Sequence, residues 1–343
     1  MPPLVLPRVR ALALLLAAVP VAVAAPPFKM LSRAATLAVP GGQLQGALTF
    51  PAQPDCPPLV LMLAGSGPTD RDGNSALLPG RSDSLKQLAQ ALAALGIATL
   101  RYDKRGVAAS RQAAPDESVL RPATHAADAA AWVRQLRGQR RYASVTILGH
   151  SEGSLIGMLA ARDAGADAFI SVAGPAQTAS MLLRRQWLPK LAPDLARATG
   201  SMLASLEQGK PRAPGRPELQ AVFRPSIQPY MMSWFRYVPA DEFAKLRIPM
   251  LIVQGTADMQ VGVDQAWRLK RAQPDAQMAL VSGMDHVLKI APADRAQSMA
   301  SYTNPSWPLA PSLVQAVAGF VHQAPTRHAC KVSGAGLFAA APG

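Results

Sequence analysis

The chain has 343 residues, 49% of them hydrophobic and only 16% charged, which excludes a disordered protein and allows one large core with a subsidiary unit. Its formal charge is +14, yet no cluster of Lys and Arg interleaved with aromatics occurs, so nucleic acid is not an expected partner. The positive charge reads either as compositional bias towards Ala, Arg and Pro or as attraction to an anionic surface.

At the N-terminus, Arg8 and Arg10 precede the apolar run Ala11 to Ala25, which contains the small-residue site Ala22-Val23-Ala24. That order predicts a secretory signal peptide over residues 1–24, cleaved after Ala24. The run is short and Pro-interrupted for a membrane span, and no Cys marks a lipidation point, so no stable membrane anchor is expected after cleavage. The mature protein is expected to be exported, periplasmic or extracellular. Export permits disulfides, and Cys56 and Cys330 could pair or remain thiols. Neither Cys has a partner at metal-ligand spacing and the five His are scattered, so neither a metal nor a cofactor is expected.

Two short strands, RAATLAV (33–39) and LQGALTF (44–50), flank Pro40-Gly41-Gly42 as a hairpin. LVLMLA (59–64) is a continuous apolar run of the kind that forms a strand buried on both faces. The same type recurs at IATLRY (97–102), SVTILG (144–149), AFISVAG (168–174), IPMLIVQG (248–255) and QMALVSG (277–283). Helical patterns lie between them: Ser84 to Ala94, with Asp83 as N-cap and Gly96 as stop, then Thr124 to Leu136 and Glu152 to Ala161, and Ser312 to His322 last. This alternation predicts an α/β fold with a mainly parallel sheet and helices on both faces. Residues 25–176 and 247–323 form the expected core. Residues 177–246 are far too long for a simple connection and predict an inserted helical lid, with helices over Met181 to Leu191 and Leu195 to Leu206. Residues 324–343, rich in Gly, Ala and Pro, predict a disordered tail.

GHSEG (149–153) fits Gly-x-Ser-x-Gly, a pattern that a chain of this length shows by chance about one time in ten. Its context adds the information: a buried strand before, a helix after, as a strained nucleophile turn at Ser151 requires. Gly149 and Gly153 leave room on either side, and the Glu152 N–H at the helix N-terminus is an expected oxyanion donor. A second donor is expected in the loop Ala64-Gly65-Ser66-Gly67-Pro68, with the Ser66 N–H as candidate. A serine hydroxyl needs a base, and the base an orienting acid. Asp258 follows the strand ending at Gly255, and His286 follows the strand ending at Gly283, so Ser151, Asp258 and His286 occur in the order this turn demands. Asp264 reads as a cap or solvated charge, and Asp285 as diverging from its neighbour's imidazole. His150 reads as packing behind the nucleophile; His125 on its helix, His322 and His328 read as structural.

The segments AGSGPTDRDGN (64–74), LRYDKRGVAAS (100–110), GHSEG, QGTADMQV (254–261) and GMDHVLK (283–289) resemble the α/β-hydrolase superfamily. More narrowly, the chain resembles exported bacterial esterases of the serine-aminopeptidase-like and dienelactone-hydrolase-like branch, over residues 40–323. The resemblance implies Ser151 as nucleophile, Asp258 as acid, His286 as base, and the Ser66 and Glu152 amides as oxyanion hole. Three positions depart from the pattern: Ala108 where glycine is common, Gly262 where proline is common, and Asp285 where asparagine is usual. Asp285 would add negative charge beside the base. Asp70, Arg71, Asp72, Asp103 and Arg105 are expected to form an ion-pair network bracing the oxyanion loop.

The leading expectation is a secreted serine hydrolase that cleaves small-molecule esters of short to medium acyl groups through an acyl-enzyme. A Gly-Ser-Gly loop in place of a His-Gly-Gly-Gly loop favours such acyl groups. Tyr230, Met231, Trp234 and Phe235 either line an acyl pocket or glue the lid to the body. One alternative is a serine aminopeptidase, which would need an acid in the lid, among Glu207, Glu218, Asp241 and Glu242, to hold an α-amine. Another is a catalytically silent binding protein on the same fold. Oligomeric state is not legible.

Overall fold

A computed structural model describes residues 28–53, 55–290, 299–326 and 330. The expected signal peptide, His328 and most of the expected tail lie outside the described residues.

The hairpin forms as expected, from β1 (Met30–Val39) and β2 (Gly42–Pro51). Then come β3 (Leu59–Leu63), α1 (Ser84–Ala94), β4 (Ala98–Tyr102), α2 (Pro122–Gly138), β5 (Val145–His150), α3 (Glu152–Ala164) and β6 (Ala168–Val172). Five helices follow: α4 (Ala179–Trp187), α5 (Pro193–Glu207), α6 (Pro217–Phe223), α7 (Gln228–Trp234) and α8 (Pro239–Ala244). The chain returns to the sheet with β7 (Met250–Gly255), α9 (Val263–Ala272) and β8 (Gln277–Val281), and ends on α10 (Ala300–Thr303) and α11 (Pro311–Gln323).

The eight strands form one sheet in the order β1-β2-β4-β3-β5-β6-β7-β8, antiparallel through β2 and β4 and parallel from β4 to β8. Period-two alternation explains the continuous apolar runs. Leu59, Leu61 and Leu63 face a core shared with α2, α3, α8 and α9, whereas Val60, Met62 and Ala64 face a second core shared with α1 and α11. Both faces of the sheet are therefore dry across its central strands, β3 to β7. β8 departs from the expected fully buried strand: Gln277 and Leu280 are exposed, because it is the sheet's edge and helices cover it incompletely.

Residues 177–246 hold a small core of their own, in which Leu183, Leu203, Leu206 and Phe223 pack together and Trp187 meets Phe223 edge-on at 6.2 Å. The first expected helix there ends early, at Trp187, giving way to a 3-10 turn over Leu188–Lys190 before Pro193 opens α5. Cys56, in the turn before β3, is joined to Cys330 by a disulfide, with Cα atoms 6.0 Å apart.

Candidate active site

The sheet's C-terminal edge carries the site, because parallel strands deliver the loops that follow them to one end of the fold. Ser151 follows β5 directly and has φ 55° and ψ −123°, a left-handed conformation that is costly for a side-chain-bearing residue. The turn is possible because its flanks are glycines. A Cβ on Gly153 would lie 2.8 Å from the Ala64 carbonyl oxygen, so only glycine lets α3 start this close to the end of β3.

Asp258 and His286 come from the loops after β7 and β8. His286 Nδ1 lies 2.8 Å from Asp258 Oδ2, and His286 Nε2 lies 3.1 Å from Ser151 Oγ. A carboxylate only accepts, so Nδ1 carries the proton and Nε2 is left as the acceptor for the Ser151 hydroxyl. The other Asp258 oxygen accepts from the backbone amides of Gln260 (2.8 Å) and Val261 (2.9 Å), and Gln254 Nε2 donates to Oδ2 at 3.2 Å. Burial pushes the Asp258 carboxyl up, but the His286 imidazole and the two amides outweigh it, so the group sits below the ordinary carboxylate range. The arrangement can draw the proton from Ser151 Oγ onto His286 while Asp258 stays ionised.

Several neighbours were only partly foreseen. His150 Nε2 lies 2.8 Å from the His286 backbone carbonyl, so it donates there and braces the loop of the base. Burial, with the nearby His286 second, pushes His150 down to about 3, keeping it neutral. Asp285 turns away from the imidazole: its oxygens accept from the Lys289 amide (3.0 Å) and the Ser301 hydroxyl (2.5 Å), which fixes the loop. Asp264 is half exposed and pairs with Arg185 of α4 at 2.8 Å. Of the expected ion-pair network, Arg71 bonds Asp103 (2.9 Å), whereas Asp72 pairs with Arg101, which was not expected in it, and Asp70 accepts from the Asp72 and Asn74 amides (both 2.9 Å). Arg105 departs as well: it reaches across to Asp128 on α2, with contacts of 2.7 and 2.8 Å.

A cavity of about 590 Å³ opens above Ser151 and His286, walled by the Gly65–Thr69 loop on one side and by Trp187, Ile227 and Tyr230 on the other. Of the four expected pocket residues, Tyr230 alone is on this wall. Met231 and Phe235 are buried in the core of the 177–246 segment, and Trp234 packs between that core and the main one. Tyr230 and Met231 are adjacent on α7 and so point about 100° apart, which turns Met231 into the core of the segment when Tyr230 faces the cavity.

Three buried side chains of this cavity wall had no expected role. Glu152, read as only the owner of a backbone amide, has a buried carboxylate that accepts from the Tyr230 hydroxyl at 2.7 Å. Lys104 Nζ lies 3.9 Å from the other Glu152 oxygen and donates to the Gly65 carbonyl. Burial pushes the Lys104 ammonium down, and Glu152 offsets this in part. His125, expected on a helix away from the strand ends, is on α2 but faces Tyr230, ring centroids 5.8 Å apart. Burial pushes it down to about 3, with Lys104 and Arg105 adding to the effect. A Lys two residues after β4, inside RYDKRG, was the available signal. Among the described residues no group of three or more His, Cys, Asp or Glu could hold a metal ion.

Comparison with known proteins adds family and fold. The family described as serine aminopeptidase, S33, matches residues 78–290. Esterase EstD of Thermotoga maritima is 29% identical over 221 residues, which are 64% of this chain and 50% of that protein, so the chain spans half the length of this relative. Among solved structures, Est1E from Butyrivibrio proteoclasticus superposes with a TM-score of 0.54 at 19% identity, covering 84% of this chain and 99% of that one. DcsB, solved with a substrate analogue, gives 0.55 at 17% identity, covering 85% and 99%. At these identities the structural likeness speaks for the fold.

Proposed function

We infer, from the premise that the chain belongs to the serine aminopeptidase, S33, family of α/β hydrolases, that it is an exported serine esterase acting on small-molecule esters. One observation carries the reading: the continuous hydrogen-bonded path from Asp258 through His286 to Ser151, at 2.8 and 3.1 Å. In this reading Ser151 Oγ attacks the acyl carbonyl and His286 takes its proton. The Ser66 and Glu152 amides hold the oxyanion, the alcohol leaves with the proton from His286, and water then releases the acid from the acyl-enzyme.

Short to medium acyl groups suit a cavity of about 590 Å³ that is closed on one side by Tyr230 and Trp187. The 177–246 segment would act as the lid over it. Ester chemistry is favoured over aminopeptidase chemistry by the charges at the cavity wall. Glu207, Glu218, Asp241 and Glu242, the acids available to hold an α-amine, do not line the cavity. The two carboxylates that do are engaged: Glu117 with Arg224, and Glu152 with Tyr230 and Lys104. The likeness to an esterase, EstD, points the same way. Export is supported by the N-terminal signal pattern, and the Cys56–Cys330 disulfide suits an oxidising compartment.

A fluorophosphonate probe should label Ser151 of the folded mature protein, and labelling should vanish in Ser151→Ala. A panel of acyl esters beside aminoacyl anilides should show turnover of esters. Absence of labelling would overturn the serine mechanism, and hydrolysis of anilides alone would overturn the esterase assignment.

A further inference from the structure

We propose that Lys104 is a positioning residue for the oxyanion hole, locking the Gly65–Ser66 peptide so that the Ser66 N–H points at the reacting carbonyl. The inference rests on the serine-hydrolase reading above. Gly65 lies against the nucleophile: a Cβ built on it would be 3.3 Å from the Ser151 Cβ. The Gly65 carbonyl and the Ser66 N–H belong to one planar, trans peptide, so they point in opposite directions. Lys104 Nζ donates to that carbonyl. Whatever holds the oxygen on one side therefore aims the N–H on the other. Among the described residues the Ser66 N–H meets no protein acceptor, which leaves it available to a ligand. The peptide needs such a hold, because Gly65 on one side and Gly67 (φ 68°) on the other give the loop freedom to flip.

The same ammonium acts on the second half of the hole. It lies 3.9 Å from a carboxylate oxygen of Glu152, the residue whose amide is the other oxyanion donor. Lys104 is thus a buried cation that touches both donor-bearing segments. A cation at the carbonyl also polarises the peptide and strengthens its N–H as a donor. A purely structural ion pair would be expected to put its closest contact on the carboxylate; here that contact is the loop carbonyl.

The test compares wild type, Lys104→Met, and the double variant Lys104→Met with Glu152→Gln. The double variant removes both buried charges and keeps an acceptor for Tyr230, so it remains informative if the single variant unfolds. Folding is checked by circular dichroism and thermal melting, and the serine mechanism by fluorophosphonate labelling of wild type. The expected result in each folded variant is a loss in kcat of about 10²-fold, with KM changed by less than about threefold. Affinity for a trifluoromethyl ketone, which forms an anionic adduct with the serine, should fall by a similar factor. In Lys104→Ala, added methylammonium should restore part of the activity, and tetramethylammonium at the same ionic strength should not. A folded variant with kcat within about threefold of wild type, or a kcat loss without the parallel loss of ketone affinity, would overturn the role of Lys104 alone. Unlabelled wild type would overturn it together with the serine mechanism.

Discussion

The Tyr230 hydroxyl donates a 2.7 Å hydrogen bond to the Glu152 carboxylate, tying a helix of the 177–246 segment to the residue after Ser151. Both groups are buried, and burial is the main cause that holds the Tyr230 phenol far above its ordinary value, so it stays a neutral donor. Tyr230→Phe leaves that oxygen without its partner. The expected cost is about 1–3 kcal/mol of stability, read by denaturant unfolding. An unchanged midpoint would mean that the bond contributes nothing to seating the segment.

Asp258→Asn tests the orientation of the base. An asparagine NH₂ turned towards His286 would put the imidazole proton on Nε2, where it can no longer accept from Ser151. Turnover of p-nitrophenyl acetate should drop by about 10⁴-fold while the protein stays folded. Activity within tenfold of wild type, a small fraction of that loss, would remove Asp258 from the proposed path.

Two buried histidines set an acid limit on stability. His125 and His150 are each pushed down to about 3 in the fold, whereas an unfolded histidine titrates near 6.5. Because the folded values are depressed, the stabilisation is complete above pH ~6.5 and is lost as pH falls from there towards 3. Each contributes a slope of up to about 1.4 kcal/mol per pH unit in that window. His125→Phe should remove roughly half of the combined slope, measured by unfolding free energy against pH. An identical slope in the variant would show that His125 is not held neutral.

Ala108 has φ 42°, in the left-handed region that favours glycine. A left-handed alanine is strained by about 1–2 kcal/mol, partly offset by the greater chain entropy that a glycine would lose on folding. Ala108→Gly should therefore stabilise the protein by up to about 1 kcal/mol and raise its melting temperature by a few degrees. A lower melting temperature would mean that the methyl group makes compensating contacts.

Much of this architecture was legible from local pattern. Runs such as LVLMLA announce strands because a parallel strand between two helical layers must be apolar on both faces. Ser151, Asp258 and His286 were legible because each follows a separate strand, and parallel strands bring such positions to one edge. Residues whose meaning depends on crossing the fold were not. Lys104 meets Gly65 across 39 positions, and Tyr230 meets Glu152 across 78. Met231 and Phe235 were grouped with Tyr230 because composition marks an aromatic stretch without telling which way a short helix is turned. Asp285 diverges from His286 as its adjacency implies, but the partners it turns to, Lys289 and Ser301, were not legible.

The disulfide joins positions 274 apart, with Ser151, Asp258 and His286 all between them. The stretch from Cys56 to Cys330 is therefore a covalent ring. A single protease cut inside the ring, for instance in the Pro-rich stretch between α5 and α6, would make two peptides that still migrate as one molecule. Only a reductant would part them, so cleavage of this protein and its disassembly are separate chemical events.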